Sequence, residues 1–288
     1  GSIIRNNNKA VEMISMTQYY MYQVYFNLNT GQQVSQNVKS DFDLQFSCYD
    51  TGFVIKLNTA SFVMAAATQQ TDFAMVTDTL GLDWQFDASS GKLDSLALKN
   101  WIQITGADTT YPENVYVINR GLDSYGNALG LRKIIFHRLV GDRYYFSYCR
   151  MDNSDLQEVV VTKDFNYNTV QFSFNTNEVV QTEPIWNEWD LLFTQYSTTL
   201  WTEEGDEYPY LLTGVLLNPA DVSVHFDSTM VFNDVTVEDV LNLDFTEKPD
   251  VIGYNWKELI GDINGGDFYY ECHSNWIGAV IHVHCNGA

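Results

Sequence analysis

The chain has 288 residues, 45% hydrophobic and 15% aromatic. That is enough for two domains that each bury a core, and it excludes a disordered chain. A formal charge of −22 disfavours nucleic acid and anionic membrane as partners, and no apolar run reaches the roughly eighteen residues of a membrane-crossing helix. The charge is uneven: residues 1–165 carry 13 Lys/Arg and 17 Asp/Glu, whereas residues 166–288 carry 2 and 20.

Gly1-Ser2 reads as an expression remnant, so any export signal or lipid-anchor cysteine would already have been trimmed away. From Val24 to Leu28, apolar and polar residues alternate into Asn29-Thr30-Gly31, which predicts a strand entering a hairpin. Asp41–Phe46 and Ile55–Asn58 follow as strands, then a Thr71–Val76 segment. Ser95–Trp101 is short enough only for a small helix. Val115–Ile118 and Arg132–Phe136 predict a hairpin around Asp123-Ser124-Tyr125-Gly126-Asn127. Arg143–Tyr148 and Val159–Val161 alternate as further strands.

From residue 166 the pattern begins again. Val170–Asn177 aligns with Val24–Gly31 at an offset of 146, and Glu188–Phe193 with Asp41–Phe46 at 147. Val215–Asn218 aligns with Ile55–Asn58 at 160, Phe232–Thr236 with Phe73–Thr77 at 159, and Asn255-Trp256 with Asn100-Trp101 at 155. Five matches in one order predict a duplication with loop insertions. The largest insertion, 13 residues, falls between Thr194 and Gly214. A second short helix fits near Val237–Leu243. Phe268–Cys272 and Ala279–Val283 take the place of the closing hairpin. The expectation is an all-β chain of two tandem antiparallel domains, 1–165 and 166–288, that pack closely.

Catalysis needs a nucleophile, a base within hydrogen-bond reach and a group that orients the base. No GxSxG or HExxH stands in the sequence, and the chain reads as non-enzymatic. For metal, His282 and His284 fall on one face of a strand, and His273 comes from across the expected hairpin. The competing reading is an exposed terminus with a Cys272–Cys285 bridge. Cys48 and Cys149 complete an even count that allows three pairings. Asp262–Asp267 lacks the bidentate Glu of a calcium loop and reads as a turn. Haem needs an axial His, Met, Tyr or Cys over an apolar slot. Met64 and Met75 in the first half, and His225 and Met230 in the second, are the candidates. Each is also a residue type that commonly packs. His137 reads as a boundary residue beside a core strand. Trp201, Tyr208 and Tyr210 in the acidic insertion are candidates for protein recognition.

Taken together, Asp41–Phe46, Ile55–Asn58, Thr71–Val76 and Val115–Phe136, with Glu188–Phe193 and Thr213–Asn218, resemble the HmuY-like family of Bacteroidota surface lipoproteins. That resemblance implies export, a lipid anchor at the extracellular face of the outer membrane, and haem capture for a TonB-dependent transporter in iron acquisition. Family members that bind haem use a pair of His or a pair of Met. The alternative is an adaptor subunit of an outer-membrane complex that binds protein through the acidic second half.

Overall fold

A computed structural model describes residues 13–202, 204–220, 222–226 and 236–254, and the backbone of three later strands. The fold is all-β and antiparallel. Its α-helix, α1 (Val237–Leu241), spans five residues. The expected helix at 95–101 is instead a pair of 3-10 turns, Leu93–Ser95 and Lys99–Trp101. Leu96, Leu98 and Trp101 are buried there, and short 3-10 turns are common as connectors between other elements.

In the first half, β1 (Tyr22–Asn27) and β2 (Gln32–Val38) form the predicted hairpin. β3 (Leu44–Ser47) pairs with β4 (Ile55–Leu57). β5 (Met64–Ala67) comes next, and β6 (Gln103–Thr105) pairs with β7 (Asp108–Thr110). β8 (Val115–Asn119), β9 (Leu131–Val140), β10 (Arg143–Cys149) and β11 (Gln157–Thr162) then meander back and forth. With β5 they make a five-stranded sheet in the order β11-β10-β9-β8-β5. The hairpin expected around Asp123–Asn127 is β8–β9. Its tip is closed by Asp123, which accepts from the Tyr125 and Asn127 amides, 2.8 Å each.

In the second half, β12 (Thr169–Ser173) pairs with β13 (Glu178–Val180), and β14 (Leu191–Trp201) with β15 (Glu207–Leu217). β16 (Val222–Phe226) precedes α1. β17 (Lys257–Asp262), β18 (Asp267–Cys272) and β19 (Ala279–Val283) are the later strands. The expected closing hairpin is corrected here. β18 pairs with β17, and β19 pairs with β16. In the sequence, Asn264-Gly265 between β17 and β18 is a strong hairpin-turn signal. The 13-residue insertion is not a loop. It lengthens β14 and β15, which pair residue by residue from Leu191↔Leu217 to Trp201↔Glu207.

Two four-stranded sheets draw strands from both sides of residue 165: β15-β14-β1-β2 and β13-β12-β3-β4. Their central registers coincide. Val24 stands opposite Phe193 and Phe26 opposite Leu191 in one; Val170 stands opposite Phe46 and Phe172 opposite Leu44 in the other. The bonds around them repeat. Asp43 N–H donates to Phe172 O at 2.8 Å and Asp190 N–H to Phe26 O at 2.9 Å. The Asp43 carboxylate accepts from Phe174 N at 2.7 Å, and the Asp190 carboxylate from Leu28 N at 2.6 Å. Asn58 Nδ2 donates to the carbonyls of Lys39 and Phe42, and Asn218 Nδ2 to those of Trp186 and Trp189.

The main core lies between β13-β12-β3-β4 and the inner face of the five-stranded sheet. Phe146 on β10 is its centre. Its ring stacks on Phe46 at 5.5 Å and meets Phe172 at 5.2 Å, Phe136 at 5.9 Å and Tyr148 at 6.4 Å. A second cluster joins Phe26, Leu191, Val215 and Leu217 to Val222 and Val224 of β16. A third covers the outer face of the five-stranded sheet with Phe73 and Val76. There Lys133 is fully buried, and its ammonium donates to the carbonyls of Phe73 and Val76 and to Asn153 Oδ1. Lys163 grips the turn before β4 in the same way, through the carbonyls of Tyr49, Asp50 and Gly52. A charge-to-carbonyl clamp suits a buried lysine because all its hydrogens find acceptors without a second buried charge.

Asp87 is buried and accepts from the Leu57 and Ala97 amides at 2.7 and 2.8 Å. Burial pushes its carboxyl up to about 6, against the pull of those two amides. A carboxyl raised in the folded state holds its proton where the unfolded chain has lost it. Stability therefore rises as pH falls from about 7 towards 4. The gain for a shift of about two units is on the order of 2–3 kcal/mol. Urea midpoints at about pH 7.5 and pH 5 should show it, and Asp87→Asn should flatten it. An unchanged slope in the variant would refute the assignment.

Candidate functional site

The haem and metal candidates were read separately from the sequence, and β16 and β19 bring two of them together. His225 stands opposite Val280 and His282 opposite Ser223. Residues 223 and 225 share a face because strand residues alternate. The His225 and His282 positions are therefore diagonal neighbours on one face of the pair. His225 is half-buried, and its Nδ1 faces the Asp244 carbonyl at 2.7 Å. A carbonyl only accepts, so Nδ1 carries the hydrogen and Nε2 is the nitrogen left for a metal. The Phe245 ring lies 6.0 Å away, tilted by 58°, and supplies an apolar wall. Met230, His273 and His284 lie outside the described residues, as does the side chain of His282.

The first-half candidates sit on the outer side of the five-stranded sheet. Met64 opens β5 opposite Asn119 and is half-buried. Met75 ends the 3-10 turn Phe73–Met75 and is 63% exposed. The strands β5 and β16 carry matching irregularities. Ala65 bridges Gln85, and Val224 bridges Thr246, each through two backbone bonds of 2.8 or 2.9 Å. Met64 and Ala66 thus flank one bridge as Ser223 and His225 flank the other. Phe53, Ile55, Leu96 and Trp101 line a shallow surface depression that is open to solvent and has no interior space for a ligand. None of the candidate ligands lines it.

Trp201, Tyr208 and Tyr210 lie on the end of the long hairpin, beyond the three residues of β14 that pair with β1. Pairing separates them. Tyr208 is opposite Leu200 and Tyr210 opposite Thr198, on one face; Trp201 is opposite Glu207, on the other. Tyr208 and Tyr210 meet edge to face at 6.3 Å, and Trp201 is 62% exposed. At the root of the projecting part, Tyr196 and Ser197 are buried and Ser197 Oγ reaches Thr59 O at 3.2 Å. The hairpin is anchored at its base.

One arrangement escaped the sequence reading. His137 Nε2 lies 2.8 Å from Ser147 Oγ, and its Nδ1 lies 2.7 Å from Glu113 Oε1. That is the bonding order of a serine nucleophile, a base and an orienting acid. No sequence motif carries it, since the three residues come from three separate segments. Its surroundings do not support acyl transfer. Ser147 lies mid-strand in β10, which β9 and β11 flank. The backbone N–H groups that would hold an oxyanion are committed to the ladders. Glu113 is 52% exposed, so its charge is screened. Both His137 nitrogens are engaged, so it offers no lone pair to iron.

Cys48 and Cys149 are buried and free. Burial raises both thiols, Cys48 to about 11, so neither is a thiolate at neutral pH. Cys285 lies outside the described residues, and of Cys272 only the backbone in β18 is described. Among the described residues no group of three or more His, Cys, Asp or Glu is placed to hold a metal, and no helix is long and apolar enough to cross a membrane.

Residues 19–129 match the family model described as HmuY protein. The match runs from the turn before β1 to the loop before β9 and includes Met64 and Met75. No curated protein and no solved structure matches the chain.

Proposed function

We propose that this HmuY-like chain is a non-enzymatic, surface-exposed haem-binding protein, lipid-anchored at the outer membrane and passing haem to a TonB-dependent transporter. The family match carries the class. The observation that carries the site is His225, whose Nδ1 is held by the Asp244 carbonyl, one diagonal step from the His282 position. The second half then binds iron by a histidine pair. Met64 and Met75 are the first-half alternative. Adding haemin to the purified chain should give a Soret shift that saturates. His225→Ala should weaken binding about tenfold or more and alter the band, as should His282→Ala. If only Met64→Ala and Met75→Ala have effect, the site is in the first half. No shift in either redox state would overturn haem binding altogether.

A second reading is favoured by the exposed aromatics on an anchored, acidic hairpin. In it the chain is an adaptor that grips a protein partner at the outer membrane through Trp201, Tyr208 and Tyr210. Removing Thr199–Tyr208 should then abolish co-purification with that partner and leave haemin binding unchanged. Unaltered co-purification would count against it.

A further inference from the structure

We propose that the chain is two copies of one unit, interlocked through an interface in which each copy's first hairpin completes the other's sheet. Hairpin β1–β2 joins β14–β15, and hairpin β12–β13 joins β3–β4. Under the sequence offsets of 146 and 147, Val24↔Phe193 becomes Val170↔Phe46, and Phe26↔Leu191 becomes Phe172↔Leu44. The Asp43–Phe172 and Asp190–Phe26 backbone bonds exchange in the same way, and so do the Asn58 and Asn218 braces. A one-residue slip would turn every side chain to the wrong face, so agreement of both registers and their flanking bonds is a demanding coincidence. The surface is self-complementary, as in a twofold dimer. Its natural partner is a second copy of the same unit, here supplied by the same chain.

Cutting the full-length folded chain tests this. The turn Asp164–Asn166 between β11 and β12 is exposed and accepts an inserted protease site. After cleavage the two pieces should elute together at the position of the intact chain and part only in denaturant. The Asp43 and Asp190 amides, whose bonds cross between the pieces, should stay as protected from hydrogen exchange as before. Separation without denaturant, or free-peptide exchange at either amide, would overturn the interlock.

An independent observation concerns charge. Three of the six arginines in the chain are Arg120, Arg132 and Arg150. Cys149 stands opposite Lys133, which brings Arg150 beside Arg132 across β9 and β10. Burial first, then the charges of Arg120 and Arg150, push the Arg132 guanidinium down. Arg120 is engaged with Asp43 at 2.7 Å, and Arg150 is loosely placed 3.6 Å from Asp155. Arg132 donates to the Leu131 carbonyl at 2.9 Å, and its buried Nε meets no acceptor among the described residues. It stands on β9 two residues before Ile134, the partner of Tyr148 on β10, whose hydroxyl donates to Asn177 at 2.9 Å. We infer that Arg132 and Arg150 form a site for a small oxyanion, a carboxylate or a phosphate group, gripped by the planar guanidinium fork.

The Nε–H resonance of Arg132 in the full chain is the readout. At matched ionic strength it should shift saturably with added phosphate or with added propionate, and the tighter of the two identifies the source. Arg150→Gln, at an exposed position that leaves folding intact, should weaken the response severalfold, whereas Arg143→Gln should not. A shift that fails to saturate, or is the same in Arg150→Gln, would overturn the site.

Discussion

Replacing Arg120 with Ala is expected to destabilise the fold by about 3–5 kcal/mol, the cost of stranding one member of a buried ion pair. Arg120 reaches Asp43 through Nε at 2.7 Å and Nη2 at 3.2 Å, with both side chains almost wholly buried. The same guanidinium donates to the Leu129 carbonyl and to Asn175 Oδ1. It therefore ties β3, the tip of the β8–β9 hairpin and the turn after β12. Burial pushes the Asp43 carboxyl up, and Arg120 and the Phe174 amide pull it back. Without Arg120 the pull weakens and the folded-state carboxyl rises further. The variant is then hurt more near pH 7.5 than near pH 5, where protonation relieves the stranded charge. Chemical denaturation at the two pH values checks both the size and the sign. A loss under about 1 kcal/mol, typical of exposed pairs, would show that the pair is not the clamp its geometry implies.

Phe146→Ala is expected to cost about 3–5 kcal/mol, in the range for a large aromatic removed from a core. Its ring has neighbours on β3, β9 and β12 as well as on its own strand. Those strands come from both halves of the chain and from both layers of the main core. The cavity would open where the layers meet, so the loss should appear as one cooperative shift of unfolding, seen equally by probes in either half. Phe146→Leu, which refills part of the volume, should recover a substantial share. Two separate transitions, with only the first-half one moved, would mean that the halves fold independently.

Both effects depend on contacts that join residues far apart in sequence, which local patterns do not encode. Alternation from Val24 to Gly31 was enough to place β1 and its turn, and the Asp123–Asn127 turn was enough to place the β8–β9 hairpin. These are local decisions, set by side-chain period and by which residues accept a turn. The acidic insertion was legible as aromatic and distinct, but not as an eleven-residue pair of strands, because pairing depends on the partner as well as on the segment. The same gap hid the partners of β18 and β19. His225 and His282 were each picked out by residue type, yet only the β16–β19 register makes them neighbours. The Ser147–His137–Glu113 chain had no signal at all.

Composition and local periodicity therefore settle the class: an acidic, all-β chain. They leave open which strands meet. Backbone edges are chemically alike, so a hairpin such as β1–β2 is as able to join the neighbouring β3 as the distant β14. The choice falls to what is buried when the sheets close. Phe26 packs over Leu191 and Val215 in one core, Phe172 over Phe146 in the other, and Asp43 and Asp190 accept the amides that follow. Those are properties of the closed tertiary structure, because each becomes favourable only when its long-range partner is already in place.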